Sequence, residues 1–522
     1  MVLLIVLADV TIYRGHGYAG VAALLLGVPI LFLFGYPKPR PRRGFWIVGA
    51  MLWLLAARLI WLGEPWGVAT GLALIPALAL AVSGRVPDVM DSATMAVQSP
   101  FAGIHGLVEY IVAVATVRGS KPGRRWLSVL MPLAALCVFG GIFILANPDV
   151  VRWVERWANH VARTIEEFVR AFAPDPFEVA FWIVVGVVSI GLLRPLMRRS
   201  LMSMGFFGQL AFANPAARRG LQSGVGQPER SPLYPALRNT LGAVIVLFAV
   251  YLCFEYVTLW FREFSEGFYY GGYAHEGAAW LTVVLALATG VLSAIFRGPV
   301  LRDPRTPRLR RLAWFWSAEN LLLALAVYNR LFIYIKFNGM TRMRTVALFG
   351  ISVVVVGFLL VVLKIIHQRG FRWLVRSQLW ALAVTVFLYC LTPVDAIVHG
   401  YNARRIVAGD LPPAVQITVH PINAEGILAL RPLVDADNEI IREGVRAMLA
   451  QRAIKLGVPE EPRPRESSMA RGWPKRWTAF QFSDRVLADA LREMRPKWEA
   501  YVAQPDRQEA LARFSEYAYQ WY

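Results

Sequence analysis

The stretch TVALFGISVVVVGFLLVVL, Thr345 to Leu363, is 19 residues long and carries no charge. Wound as an α-helix it measures about 28 Å, close to the ~30 Å hydrocarbon core of a bilayer. It is apolar on every face, so it needs lipid or a large core around it. Runs of the same kind recur along the chain, near 2–13 (short), 17–36, 45–62, 66–83, 126–146, 177–193, 239–260, 277–296, 313–335 and 377–394. The reading is an all-α fold, a polytopic transmembrane helical bundle of about 11 spans, with a smaller helical extramembrane C-terminal domain. A β-barrel would need short alternating segments, and these runs are continuous.

Composition agrees. The 522 residues are 57% hydrophobic and 17% charged, with a mean hydropathy of +0.46, against roughly 25% charge in soluble chains. The net charge of +20 invites a nucleic-acid partner, but its distribution excludes one. Residues 395–522 hold 18 basic and 17 acidic side chains, so the excess lies among the spans. It concentrates in the connections 37–44, 194–238, 297–312 and 364–376, whereas 147–176 and 261–276 lean acidic. Basic connections mark the cytoplasmic side. This pattern predicts a multi-pass protein of a bacterial plasma membrane with its C-terminal domain on the external, periplasmic side. The usage of only 7 Lys among 55 cations suits a GC-rich bacterial genome.

The chain divides into an N-terminal four-span segment (1–83), an interfacial or re-entrant cytoplasmic segment (84–125), a main transmembrane bundle (126–398) and the extramembrane helical domain (399–522). The N-terminal MVLLIVLADVTIYRGHG has no basic leader and no clear cleavage site, so it reads as a short first span and not as a removable signal. Within 99–117, Gly103, His105, Gly106 and Glu109 favour a re-entrant or interfacial helix over a span. Residues 149–172 alternate Val, Trp and Phe with charges at helical spacing and read as an amphipathic surface helix. Past the last span, Asn423 and Asp437 are candidate N-caps, 457–476 is a Pro- and charge-rich linker, and a further helix begins at Ser483.

Several phrases, in order, resemble a bacterial membrane family catalogued as a domain of unknown function, the group numbered four-one-five-three and four-one-seven-three. They are WLSVLMPLAALCVFGGIFILANPDVVRW (126–153), LFAVYLCFEYVTLWF (247–261), YYGGYAHEGAAWLTVV (269–284), YNRLFIYIKFNGMTRMR (328–344), VDAIVHGYNARRI (394–406) and WTAFQFSDRVL (477–487). Where the family pattern carries Gln, this chain has Glu255. The resemblance implies a multi-span plasma-membrane protein and no established reaction.

A charge inside a span costs at least ~2.5 kcal/mol at mid-bilayer, so each one needs a reason. Glu255 and Arg330 both fall within roughly 10 Å of the outer end of their spans. At the same level His275 and Glu276 open a span, preceded by Tyr273, and Asp395 and His399 leave the last one. With Asn329, Arg342 and Arg344 these define a candidate ligand-binding site: Glu255, Tyr273, His275, Glu276, Asn329, Arg330, Arg342 and Arg344. Its surplus cations favour an anionic phospholipid or envelope intermediate, held by guanidinium geometry. The alternative is structural, with Arg330 paired or snorkelling and Tyr328, Phe332 and Tyr334 forming an aromatic belt.

No catalytic motif, phosphate loop or metal-ligand spacing stands out, so enzyme activity is not the expectation, and no cofactor is expected. His105 and Glu109 are too few to hold a metal. Cys137, Cys253 and Cys390 each lie in an apolar run, without a partner at metal or disulfide spacing. The expected function is a cell-envelope binding or scaffold protein. It engages membrane lipids at the outer polar pocket and protein partners through its C-terminal domain. The alternatives are a transporter or flippase, or a membrane-embedded transferase.

Overall fold

The computed structural model describes residues 1–118, 175–193, 234–257, 270–296, 303–458 and 477–521, except 16, 37, 38, 40 and 368. The expected span 126–146, the amphipathic stretch 149–172 and most of the linker lie outside these residues. Among the described residues every regular element is helical. Seven helices among the described residues are long and apolar enough to cross a membrane. They are α2 (Tyr18–Gly35), α3 (Arg43–Trp61), α4 (Pro65–Val82), α7 (Tyr234–Glu255), α9 (Thr306–Asn338), α10 (Arg342–Ile366) and α11 (Phe371–Leu391). Shorter apolar stretches occupy α1 (Val2–Ala8, continued by a π-helical turn Asp9–Tyr13), α6 (Pro176–Leu193) and α8 (Tyr270–Ile295). Their surfaces fit lipid: α7 turns Val246, Leu247, Val250 and Phe254 outward, uncovered by protein. A soluble chain does not expose such a continuous apolar face. The protein is a multi-pass membrane protein.

The helices gather into two lobes. Helices α1–α6, with α5 spanning Val89–Arg118, enclose one core built on Leu25, Leu52, Leu55 and Leu78. Helices α7–α10 enclose two further clusters, around Leu241, Leu285 and Trp316 at one end and Val327 and Leu331 at the other. Helix α11 lies between the lobes: its start gives Leu374 to the second, its end gives Phe387 and Cys390 to the first.

The stretch expected to be re-entrant runs inside α5, antiparallel to α6. A Cβ added at Gly103 would stand 1.8 Å from Val187 O, and one at Gly191 would stand 1.8 Å from Ser99 O. The glycines are therefore where two backbones touch. Gly103, from the stretch expected to be re-entrant or interfacial, and Gly191, from an expected span, act together as a packing seam.

Helix ends sort into two sets. At one end Arg376 pairs with Asp88 at 2.7 Å, and the Arg305 guanidinium lies 4.1 Å from the Tyr234 ring. This brings the starts of α7, α9 and α11 and the α4–α5 turn to the same side as the basic connections. At the other end sits the C-terminal domain, entered through α12 (Val394–Val407). This helix begins before the expected boundary at 399, because it packs Val394 and Val398 on the second lobe and Ala403 and Ile406 on the domain core. The domain continues with α13 (Val415–Thr418), α14 (Ala424–Ala429), α15 (Glu439–Lys455), α16 (Phe482–Glu493), α17 (Arg495–Trp498) and α18 (Gln504–Tyr519). Its core centres on Leu433, Val445, Trp498 and Phe514 and reaches down to Leu62 at the end of α3. Asn423 caps α14, accepting the Gly426 N–H at 3.0 Å. The other cap falls one residue beyond Asp437: Asn438 accepts the Ile441 N–H at 3.1 Å. Its amide oxygen is the one that reaches the orphan N–H groups of the first turn of α15.

Candidate functional site

At the domain end of the second lobe, Arg330 on α9 meets Glu255 on α7. Its Nε and Nη2 donate to Oε1 and Oε2, each at 2.5 Å. Tyr251, one turn back on α7, donates its hydroxyl to Oε2 at 2.9 Å. The carboxylate is 1% exposed and the arginine 5%. Buried charges persist only when paired and hydrogen-bonded, and this pair meets both conditions. Asn329 is half-buried at the neighbouring position. Tyr273, His275 and Glu276 lie in the first turns of α8, where the backbone is described and the side chains are not.

The remaining site candidates go elsewhere. Arg344 donates to the Gly339 carbonyl, and its guanidinium lies 3.8 Å from the centre of the Tyr334 ring. It holds the α9–α10 turn closed, together with Thr341, whose hydroxyl caps α10 by accepting the Arg344 N–H at 3.2 Å. Arg342 points to the C-terminal domain and grips Asp395 with two prongs, Nε to Oδ1 at 2.5 Å and Nη2 to Oδ2. Asp395 also accepts the Asn423 N–H at 2.9 Å. The candidates whose side chains are described thus occupy three places, and Arg330 and Arg342 each end on a carboxylate.

The third of these places, around Asp395, extends into the first lobe. Glu425, on the first turn of α14, receives both prongs of Arg58 from α3, one of them at 2.8 Å. It also accepts the Trp61 indole N–H at 2.6 Å. Gln481 accepts from the Gly63 N–H and donates to Leu59 O at 3.3 Å. On the side of the second lobe, Asn402 accepts the Met340 N–H at 2.7 Å and returns a bond to Met340 O at 2.9 Å. Arg405 donates to Ile335 O at 3.0 Å and Lys336 O at 2.5 Å. One small domain is therefore fastened to both lobes through their backbones and through two two-pronged ion pairs.

Between those pairs sit two titratable groups. Glu64, before α4, is half-buried. Burial pushes its carboxyl above the ordinary range, Arg58 pulls it back, and Asp395 and Glu425 push it further up. His399 is 2% exposed, and its Nδ1 has no hydrogen-bond partner among the described residues. Burial lowers its pKa to about 4, against the pull of Asp395 and with help from Arg342 and His420.

Arg58, Glu64, Glu425 and Gln481 were not singled out from sequence. Arg58 carries the same signal as Arg330, a guanidinium inside an apolar run. A third polar knot was also missed. Arg14 joins Glu178 at 2.7 Å and Asp9 at 3.0 Å, and the Trp182 indole donates to Asp9 at 2.7 Å, tying the π-helical turn to α6. Among the described residues, no three His, Cys, Asp or Glu side chains come together as metal ligands.

No curated protein and no solved structure matches this chain. Residues 21–420 match the family model described as Domain of unknown function (DUF4153), and the chain belongs to that family.

Proposed function

We propose that the protein is a binding or scaffold protein of the bacterial plasma membrane. Its C-terminal helical domain is periplasmic and engages anionic lipid or envelope intermediates at the membrane surface. The observation that carries this reading is the double fastening of the domain, by Arg58–Glu425 to the first lobe and by Arg342–Asp395 to the second. A transporter that rocks one lobe against the other must separate them at each end in turn. A strap across one end opposes that motion and suits a platform that presents a fixed surface. The side assignment draws on the basic helix ends gathered opposite the domain. The lipid contact draws on Arg342, whose side chain is 43% exposed beside its carboxylate, and on the outward-facing Trp66 at the start of α4.

Two measurements test this. Impermeant maleimide should label a cysteine placed at Gln520 in intact cells and leave one at Arg369 unlabelled; the reverse pattern overturns the topology. Spin labels at the exposed Trp66 and Met343 should report a single inter-lobe distance. Two interconverting distances would overturn the platform reading in favour of transport.

A further inference from the structure

The C-terminal domain contains an open cleft of about 670 Å³ between the segment that follows α13, helix α15 and helix α18. That volume lies inside the roughly 300–1,000 Å³ of small-molecule sites. Its floor is apolar: Ile417, Ile427 and Phe514 are buried there, with Met448 half-buried beside them. Among the described residues its ionisable lining is basic throughout, His420, Arg452 and Lys455. Arg452 reaches Asp484 with one prong at 3.2 Å, yet its Nε is buried without a hydrogen-bond partner among the described residues. A buried donor of this kind is costly until something accepts from it.

We infer that this cleft binds a single-chain anionic lipid, with the acyl chain on Ile417, Ile427, Met448 and Phe514 and the acidic head against Arg452 and Lys455. Three features select this occupant. The apolar floor fits a chain, and the basic rim, with no acidic side chain among the described lining residues, fits an anion. The third is position. His420 stands close enough to His399 to shift its titration, and Asn423 bonds Asp395, four residues past the end of α11. The wall of the cleft therefore rests on the end of the membrane bundle, beside the leaflet that supplies such molecules. The inference takes its ligand class from the binding-protein reading above but not its topology, since the cleft fills equally on either side of the membrane.

The test uses the full-length protein in neutral phosphatidylcholine nanodiscs, with diazirine-tagged palmitate as the probe and diazirine-tagged palmityl alcohol as its uncharged counterpart. Photoadducts of the palmitate should map to peptides containing Met448 and 511–515, and unlabelled palmitate should compete them away. Met448→Trp, which fills the floor, should remove them. Arg452→Gln with Lys455→Gln should weaken labelling about tenfold, and Arg495→Gln, on a solvent-exposed pair elsewhere in the domain, should leave it unchanged. Adducts confined to the spans, or equal labelling by the alcohol, would overturn the inference. Competition on the unaltered protein keeps it decidable if the variants fail to fold.

Discussion

Glu255 and Arg330, 75 residues apart in sequence, close a two-pronged ion pair with 2.5 Å on each prong, almost sealed from solvent. That relationship joins α7, whose outer surface is exposed and apolar, to α9, which buries far more of its length inside the protein. It also sets a test between the two roles weighed for these residues. Removing one partner strands a charge, which costs about 3–5 kcal/mol, whereas replacing both with apolar groups is often neutral. Arg330→Met alone should therefore lower the thermal midpoint in detergent sharply, and Glu255→Leu with Arg330→Met should recover most of the loss. A stable double variant that loses a cellular phenotype would instead restore a ligand role for the pair.

The strap makes a second prediction. Arg58→Met leaves Glu425 with only the Trp61 indole and the α14 N-terminus. Loss of a buried charged partner of this kind costs about 3 kcal/mol. Amide hydrogen exchange across Ala424–Ala429 should speed up while α15 and α18, which close their own core, stay protected. Uniform loosening of the whole domain would show that its fold depends on the bundle and that Arg58 is more than a fastening.

How far the sequence reached follows from what each feature depends on. Residues 345–363 were legible because lipid is their solvent, so composition alone sets the element. Asn423 was legible as a cap because capping is a local event. Asp437 missed by one because two capping side chains stand side by side, and only backbone geometry selects Asn438. The depth match of Glu255 and Arg330 could be counted along two spans, so their meeting was open to sequence reasoning. Arg58 and Glu425 lie 367 residues apart, with one in a span and the other in the extramembrane domain, and no periodicity relates them. Arg342 reads in sequence as one of the surplus cations of the site, because nothing local pairs it with Asp395, 53 residues away. Gly103 and Gly191 could not be paired from sequence, because which glycines let two backbones touch depends on how α5 packs on α6.

Gly339 tests the joint between the second lobe and the domain. It ends α9 at φ +79°, ψ −175°, a region essentially reserved for glycine, where other residues pay about 1–3 kcal/mol in strain. An added Cβ would also stand 2.8 Å from Asn402 Oδ1, the atom that holds the Met340 N–H. Gly339→Ala should destabilise by at least that amount in a denaturation series. Gly242→Ala and Gly350→Ala, whose new methyls meet nothing within 4 Å, should be neutral or slightly stabilising by helix propensity. Equal effects at all three would mean that the turn tolerates a different backbone path.

His399 makes the stability of the folded protein depend on pH, and the sign can be worked out. The folded imidazole titrates at about 4 because burial opposes its charged form, against an ordinary value of 6.5. Between those values the unfolded chain binds the proton and the folded one does not, so unfolding takes up protons and acid favours it. The contribution of His399 is complete above about pH 6.5, falls as the pH drops, and is lost by about pH 4, a span worth about 3 kcal/mol. Asp395, Arg342 and His420 face the same ring, and Glu64 nearby works against it. The raised carboxyl of Glu64 binds its proton more readily in the folded state, so its contribution grows as the pH falls. Thermal midpoints taken from pH 4 to 7.5 should therefore slope downward in acid for the native chain. The slope should flatten in His399→Gln, and it should steepen in Glu64→Gln, where the opposing group is gone. If His399→Gln keeps the native slope, the imidazole titrates alike in the folded and unfolded chain, and the pull of Asp395 offsets burial.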